Sequence, residues 1–193
     1  MKSEQPENLD KVYQIKVGLL EINPLIWRRF LIPANVTLHR LHLVLQDVMC
    51  WQNYHLYRFR IGQTEYSTPD PDNDFYELDF KNSYRAKLGN VLKEKGIIFL
   101  YVYDFGDDWE HQLLVEDIID RESKKQYPLC IEGENASPHE DSGGPHGYME
   151  MLEIIKNPYH EEFNSTRTWL GKKFDPYKFD LKRANLRLSS MRL

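Results

Sequence analysis

Tyr13, Ile15, Val17 and Leu19 alternate with Gln14, Lys16 and Gly18, the two-residue period of a strand with one face in a core. Asn23-Pro24 then predicts a turn, Leu25 to Ile32 a second strand, and Pro33 its end. Thr37 stands as an N-cap before Leu38, Leu41, Leu45 and Val48, which share one face of a helix. His55, Tyr57, Phe59 and Ile61 alternate with Leu56, Arg58 and Arg60, and Gly62-Gln63 returns the chain toward Tyr66 as a hairpin. Lys87 to Lys95 reads as a helix stopped by Gly96, and the apolar run Ile97 to Tyr103 as a central strand covered on both faces. After Gly106, the residues Trp109, His111, Leu113 and Val115 share one face of a further strand, so His111 is expected to point inward with Trp109. Tyr148, Met151, Leu152 and Ile155 recur at helical spacing up to Asn157-Pro158, and Phe163 to Leu170 forms a last amphipathic piece before Gly171. This order predicts an α+β fold, a single domain with a mostly antiparallel sheet packed against helices, spanning 12–193 behind a flexible N-terminus, 1–11.

Composition narrows the setting. The chain has 193 residues, 41% of them hydrophobic, enough for one substantial core. No run of about 18 apolar residues exists, and the polar, acidic start is no secretory leader, so a cytoplasmic protein without a membrane partner is expected. Cys50 and Cys130 lie in no paired motif and read as reduced, buried thiols. The net charge of −5 is unevenly distributed. Residues 104–162 hold 16 acids against four bases, whereas residues 163–193 hold eight bases against two acids. An acidic middle repels polyanions, and pairing of the basic tail with the chain's own acids is the simpler expectation.

Two segments concentrate the chemistry. Tyr103-Asp104-Phe105-Gly106-Asp107-Asp108-Trp109-Glu110-His111 crowds ionisable groups into a tight turn, and Glu140-Asp141-Ser142-Gly143-Gly144-Pro145-His146 does so ahead of a helix. The two are expected to lie side by side and to line one acidic groove. A metal site could draw on His111, Asp104, Asp107 or Asp108 together with His139, Glu140, Asp141 or His146, since mixed imidazole and carboxylate ligands suit zinc, manganese or iron. The spacing matches no standard metal motif, and the competing reading is a structural network in which Asp104 or Asp107 accepts turn amides and His111 is a satisfied core residue. Gly143 and Gly144 before a helix start suggest an anion site, but Asp141 capping that helix fits better. Asp107-Asp108 and Glu140-Asp141 could form an acid–base pair, and Ser137 or Ser142 lacks a nucleophile-elbow context. Asp70, Asp72 and Asp74 mimic a calcium loop, but Phe75 and Lys81 occupy the positions requiring glycine and glutamate. Arg28, Arg29, Arg58, Arg60, Lys172, Lys173, Lys182 and Arg183, with Lys178 and Arg187, are candidate phosphate contacts, although Arg58 and Arg60 occupy the exposed face of an ordinary half-buried strand. Nucleic acid is thus a possible partner and not the favoured one, and no cofactor follows from these residues.

Pro24-Leu25-Ile26-Trp27-Arg28-Arg29, Trp51 to Phe59 with His55-Leu56, the Tyr103 to His111 run and Gly133 to Tyr148 together resemble the plasmid pRiA4b ORF-3-like family. Trp169-Leu170-Gly171 and Phe174-Asp175-Pro176 extend the likeness, which spans about Tyr13 to Leu188. The resemblance implies an α+β fold and no reaction, since that family is largely uncharacterised and partly encoded on plasmids or mobile elements. Its members commonly carry cysteines where this chain has Ser137 and Ser142, which removes any thiol chemistry from that segment. The sequence therefore favours a non-catalytic binding or interaction module using the acidic groove, with a metal-dependent hydrolase-like enzyme at the same place, or a nucleic-acid-associated protein, as alternatives.

Overall fold

The computed structural model describes residues 10–69 and 80–191. Most of the expected flexible N-terminus and the calcium-loop mimic at Asp70, Asp72 and Asp74 lie outside the described residues. The elements run β1 (Lys11–Leu19), β2 (Trp27–Pro33), α1 (Leu38–Met49), β3 (Tyr57–Ile61), β4 (Thr64–Ser67), β5 (Lys81–Asn82), α2 (Leu88–Val91), β6 (Ile98–Tyr103), β7 (Trp109–Asp120), β8 (Leu129–Glu134), α3 (Gly144–Ile154), α4 (Phe163–Leu170) and α5 (Leu181–Ser189). The strands form one sheet in the order β5-β4-β3-β6-β7-β1-β2-β8, antiparallel except for the β4–β5 pair. The fold is α+β, as the sequence pattern predicts.

Alternation decides the two faces. Tyr13, Ile15, Val17 and Leu19 of β1 and Trp109, His111, Leu113 and Val115 of β7 are fully buried on the inner face. The apolar side of α1 joins them there in one hydrophobic core. Thr37 caps α1 through its side-chain oxygen, which accepts from the Arg40 amide at 3.2 Å. On the outer face Glu116, Gln14, Arg29 and Glu132 form a polar ladder across β7, β1, β2 and β8. Buried polar contacts fix α1 over the sheet. The Asn53 side-chain oxygen accepts from His42 Nε2, so His42 Nδ1 accepts from the Tyr101 hydroxyl at 2.7 Å, and the ring stacks on Tyr57 at 3.7 Å.

Arg28 ties β2 to α1 and β8. It is 1% exposed, and each of its five N–H groups has an acceptor: the carbonyls of Val48, Trp27, Glu134 and Asn135, and the Ser137 hydroxyl. No carboxylate pairs with it among the described residues. Phe179 covers the guanidinium face at 3.9 Å. Burial pulls its pKa down to about 10, so it stays charged at neutral pH.

Three expectations change. The predicted helix over 87–95 is only the turn Leu88–Val91, since Leu92 is already extended, and its first amides, of Leu88 and Gly89, bond back to Val36 and Ala34. Strand β6 is covered on both faces only toward its end: Ile98 is 57% exposed while Tyr101, Val102 and Tyr103 are buried. His55 precedes β3 and is not part of its inward-facing row. The basic tail docks: α5 packs on α1 and β8, and Arg187 pairs with Asp47 at 3.1 Å. The Asn185 side chain holds both backbone groups of Cys130 on the outer edge of β8, at 2.9 and 2.8 Å.

Removing the Arg28 side chain strands several buried carbonyls at once. Arg28→Met is expected to cost roughly 3 kcal/mol or more. Urea unfolding at an unchanged m value measures it, and a loss below about 1 kcal/mol would show that the five bonds do not hold these elements together.

Candidate functional site

The register aligns three chain segments at one end of the sheet. Tyr57 at the start of β3 faces Tyr103 at the end of β6, which in turn faces Trp109 at the start of β7. The segment after α1, the β6–β7 turn and the loop between β8 and α3 therefore meet there. Tyr103 is the junction: its hydroxyl accepts from the amides of Tyr54 and His55 at 3.0 and 3.3 Å and donates to Glu140 Oε1 at 2.5 Å. The other oxygen of Glu140 accepts from the Gln52 amide at 2.6 Å. Burial and the Glu140 carboxylate both push the Tyr103 pKa well above its usual value, so the phenol remains a donor.

At this junction His55 Nε2 lies 3.2 Å from Asp141 Oδ1 and 3.5 Å from Asp104 Oδ2. The three donor atoms lie within 4.8 Å of one another. His55 Nε2 is shielded from solvent and has no hydrogen-bond partner. Asp104 divides its work between its oxygens: Oδ1 accepts from the amides of Gly106 and Asp107 at 2.9 and 3.3 Å, which leaves Oδ2 to face the imidazole. Asp104, Asp108 and Asp141 all adopt left-handed backbone conformations with φ between 53° and 59°, which aspartate tolerates better than most residues. Backbone strain of this kind concentrates at sites where a side chain must be aimed.

The turn and the loop named from the sequence lie side by side. A Cβ on Gly144 would sit 2.5 Å from the Asp107 carbonyl oxygen, and Gly144 has φ +69°. Of the named residues Asp104 and Asp141 join the cluster, and Glu140 bonds to the tyrosine behind it. Asp107 contributes its backbone to the contact with Gly144, and Asp108 and His146 are exposed. Gly143 starts α3 without a side-chain cap, which corrects the expectation that Asp141 caps that helix; its carboxylate turns to His55 instead. His139 points away, packing against Trp169 and Phe174. His111 and Trp109 are fully buried, with His111 Nδ1 2.9 Å from the Trp109 carbonyl. They belong to the core and not to the His55 cluster, because both fall on the inner face of β7, and burial holds His111 near pKa 4.

The basic candidates do not form one surface. Arg28 is buried. Arg29 is engaged by Glu116 and Glu132, Arg60 by Glu65, and Arg187 by Asp47. Arg58 leans over Phe105. Lys172 and Lys182 are exposed, and Lys173, Lys178 and Arg183 border a cavity described below.

Comparison with known proteins explains the shared motifs. The sequence model of the family described as Plasmid pRiA4b ORF-3-like protein matches residues 11–183. The chain belongs to that family. The "Uncharacterized protein y4hQ" of Sinorhizobium fredii is 36% identical over 161 residues, 83% of this chain and 81% of that protein. The crystal structure of a protein of unknown function, MM3350 from Methanosarcina mazei Go1, superposes with a TM-score of 0.80 at 39% identity, covering 89% of this chain and 96% of that one. In this pRiA4b ORF-3-like chain the two serines noted above have structural partners: Ser137 accepts from Arg28, and Ser142 donates to the His139 carbonyl at 2.7 Å. Among the described residues no helix is long and apolar enough to cross a membrane.

The residue that sequence reasoning missed is His55. Its alternation with Tyr57 and Phe59 placed it in a strand row; the signal against this was the short polar stretch Gln52-Asn53-Tyr54, which leaves the segment before β3 free to bend toward the turn.

Two outcomes follow from this geometry. Gly144→Ala forces apart the Asp107 and Gly144 backbones and strains a positive φ, and is expected to cost about 1–3 kcal/mol in urea unfolding. Folded His111 and His42 have pKa values held down to about 4 and about 3 by burial, below the ordinary value of 6.5. Their contribution is complete above pH 6.5 and is lost as pH falls toward 4 and below, because only the unfolded chain takes up the protons. His111→Phe should flatten the fall in stability between about pH 6.5 and 4, as read from urea midpoints across that range.

Proposed function

We propose that this protein is a cation-dependent binding module, in which His55 Nε2, Asp104 Oδ2 and Asp141 Oδ1 hold one divalent metal ion in an acidic groove. The observation that carries this reading is the spacing of three donors delivered by three separate segments. Bonds of about 2.0–2.2 Å to a common ion place neighbouring donors roughly 3.0–3.5 Å apart, and the two separations from His55 are 3.2 and 3.5 Å. The imidazole nitrogen supports the same reading, since it is shielded from solvent and faces both carboxylates without an aligned hydrogen bond to either. One nitrogen and two carboxylate oxygens suit zinc, manganese or iron(II). Three protein ligands leave coordination positions for a partner's oxygen or nitrogen, and the Asp141 side chain is 71% exposed, so the open side faces solvent. Binding is favoured over hydrolysis because Glu140, the carboxylate next to Asp141 in the chain, is already engaged by Tyr103 and Gln52 and is not free to act as a base.

Tag-free protein titrated with Zn²⁺ or Mn²⁺ in a calorimeter is expected to bind about one equivalent and to unfold at higher temperature when loaded. His55→Ala, Asp104→Asn and Asp141→Asn should each abolish both effects, the asparagines preserving the left-handed backbone and the Asp104 turn. Less than about 0.1 equivalent bound across zinc, manganese and iron(II) would overturn the proposal.

A further inference from the structure

The loop from Ala136 to Glu140 also lines an open cavity of about 610 Å³, in the size range of small-molecule sites. One part of its wall is cationic: Lys173, Lys178 and Arg183 border it, and Arg28 lies beneath. Among the described residues Lys173, Lys178 and Arg183 have no ion-pair or hydrogen-bond partner for their charged groups. Arg28 spends all five N–H groups on neutral oxygens, so its positive charge has no acid to balance it and adds to the potential of the cavity.

The acids of the same wall are differently placed. Glu140 accepts from Tyr103 and Gln52, Asp175 from the Tyr177 amide at 3.0 Å, and Asp180 from the Arg183 amide at 2.9 Å as the N-cap of α5. Each is turned to a donor of the protein itself, and the charge of Asp180 is set against the positive end of its own helix. By formal charge the lining holds four cations, Arg28, Lys173, Lys178 and Arg183, against three carboxylates, Glu140, Asp175 and Asp180, an excess of one positive charge. Trp51, Tyr54, Phe174 and Phe179 add aromatic surface to the wall. Flat apolar rings beside free ammonium and guanidinium groups match a ligand with a planar body and an anionic head.

We propose that this cavity binds a small organic anion, a phosphate carried on a planar apolar body, through Lys173, Lys178 and Arg183, independently of the cation cluster around His55. Polymeric nucleic acid fits less well, because the basic candidates Arg29, Arg60 and Arg187 lie outside the cavity lining and are occupied by acids of the chain.

The test is calorimetric titration of the full chain with adenosine 5′-monophosphate, adenosine, inorganic phosphate and a single-stranded oligonucleotide at about 50 mM salt, where surface charges are least screened. Adenosine monophosphate is expected to saturate and adenosine to give no binding. Lys178→Gln and Arg183→Gln, both at exposed positions that do not threaten folding, should each weaken it by at least about tenfold. His55→Ala should leave it unchanged, which separates this result from any outcome at the cation cluster. The proposal is overturned if neither monophosphate nor inorganic phosphate saturates up to about 10 mM, a limit corresponding to negligible affinity. It is also overturned if binding survives in the double glutamine variant, or if the oligonucleotide binds where the monophosphate does not.

Discussion

A buried positive charge, with no carboxylate partner among the described residues, organises this protein. Moving a guanidinium out of water is costly, and here five neutral oxygens, rather than a carboxylate, offset that cost. The acceptors come from the last turn of α1, from β2 itself, and from the end of β8 with the loop that follows. Arg28 thereby sets the distance between helix and sheet and the course of the chain toward Glu140. The close approach of Gly133, where a Cβ would sit 2.8 Å from the arginine side chain, shows how little room this arrangement leaves.

From that fixed point the site follows. The loop leaving β8 is held by Arg28 at Asn135 and Ser137, by the Trp51 indole at the Pro138 carbonyl, and by Tyr103 and Gln52 at Glu140. It arrives at Asp141 with its position determined. The β6–β7 turn is separately locked by Asp104 accepting its own amides. Two rigid pieces thus present carboxylates to an imidazole whose backbone amide is held by the same tyrosine. The same loop, from Ala136 to Glu140, also lines the cavity bordered by Lys173, Lys178 and Arg183.

Periodicity made much of the fold legible in the sequence. Strands β1 and β7 alternate cleanly because one face is core and the other carries a polar ladder, and Thr37 with Leu38, Leu41, Leu45 and Val48 announces α1. Strand β8 and helix α5 were not legible, since β8 buries only Cys130 and α5 only Ala184 and Leu188, too few apolar positions to display a period. The segment over 87–95 was misread because the chain turns extended at Leu92 after a single helical turn, although Leu88, Val91 and Leu92 carry an apolar spacing that suits a longer helix. At the site, the clustering of acids in the turn and of glycines before α3 pointed to the right place. His55 could not be found by pattern, because its role depends on three segments meeting across the end of the sheet, and His111 drew attention by lying closer in sequence to the acids.

The side chain of Asn185 has a consequence beyond fixing the tail. A terminal strand such as β8 offers a row of open amide and carbonyl groups, a template on which further copies of a chain could add. By occupying both groups at Cys130 with a side-chain amide, α5 supplies an imitation of the next strand. The last helix therefore closes this part of the β8 edge to pairing with another strand.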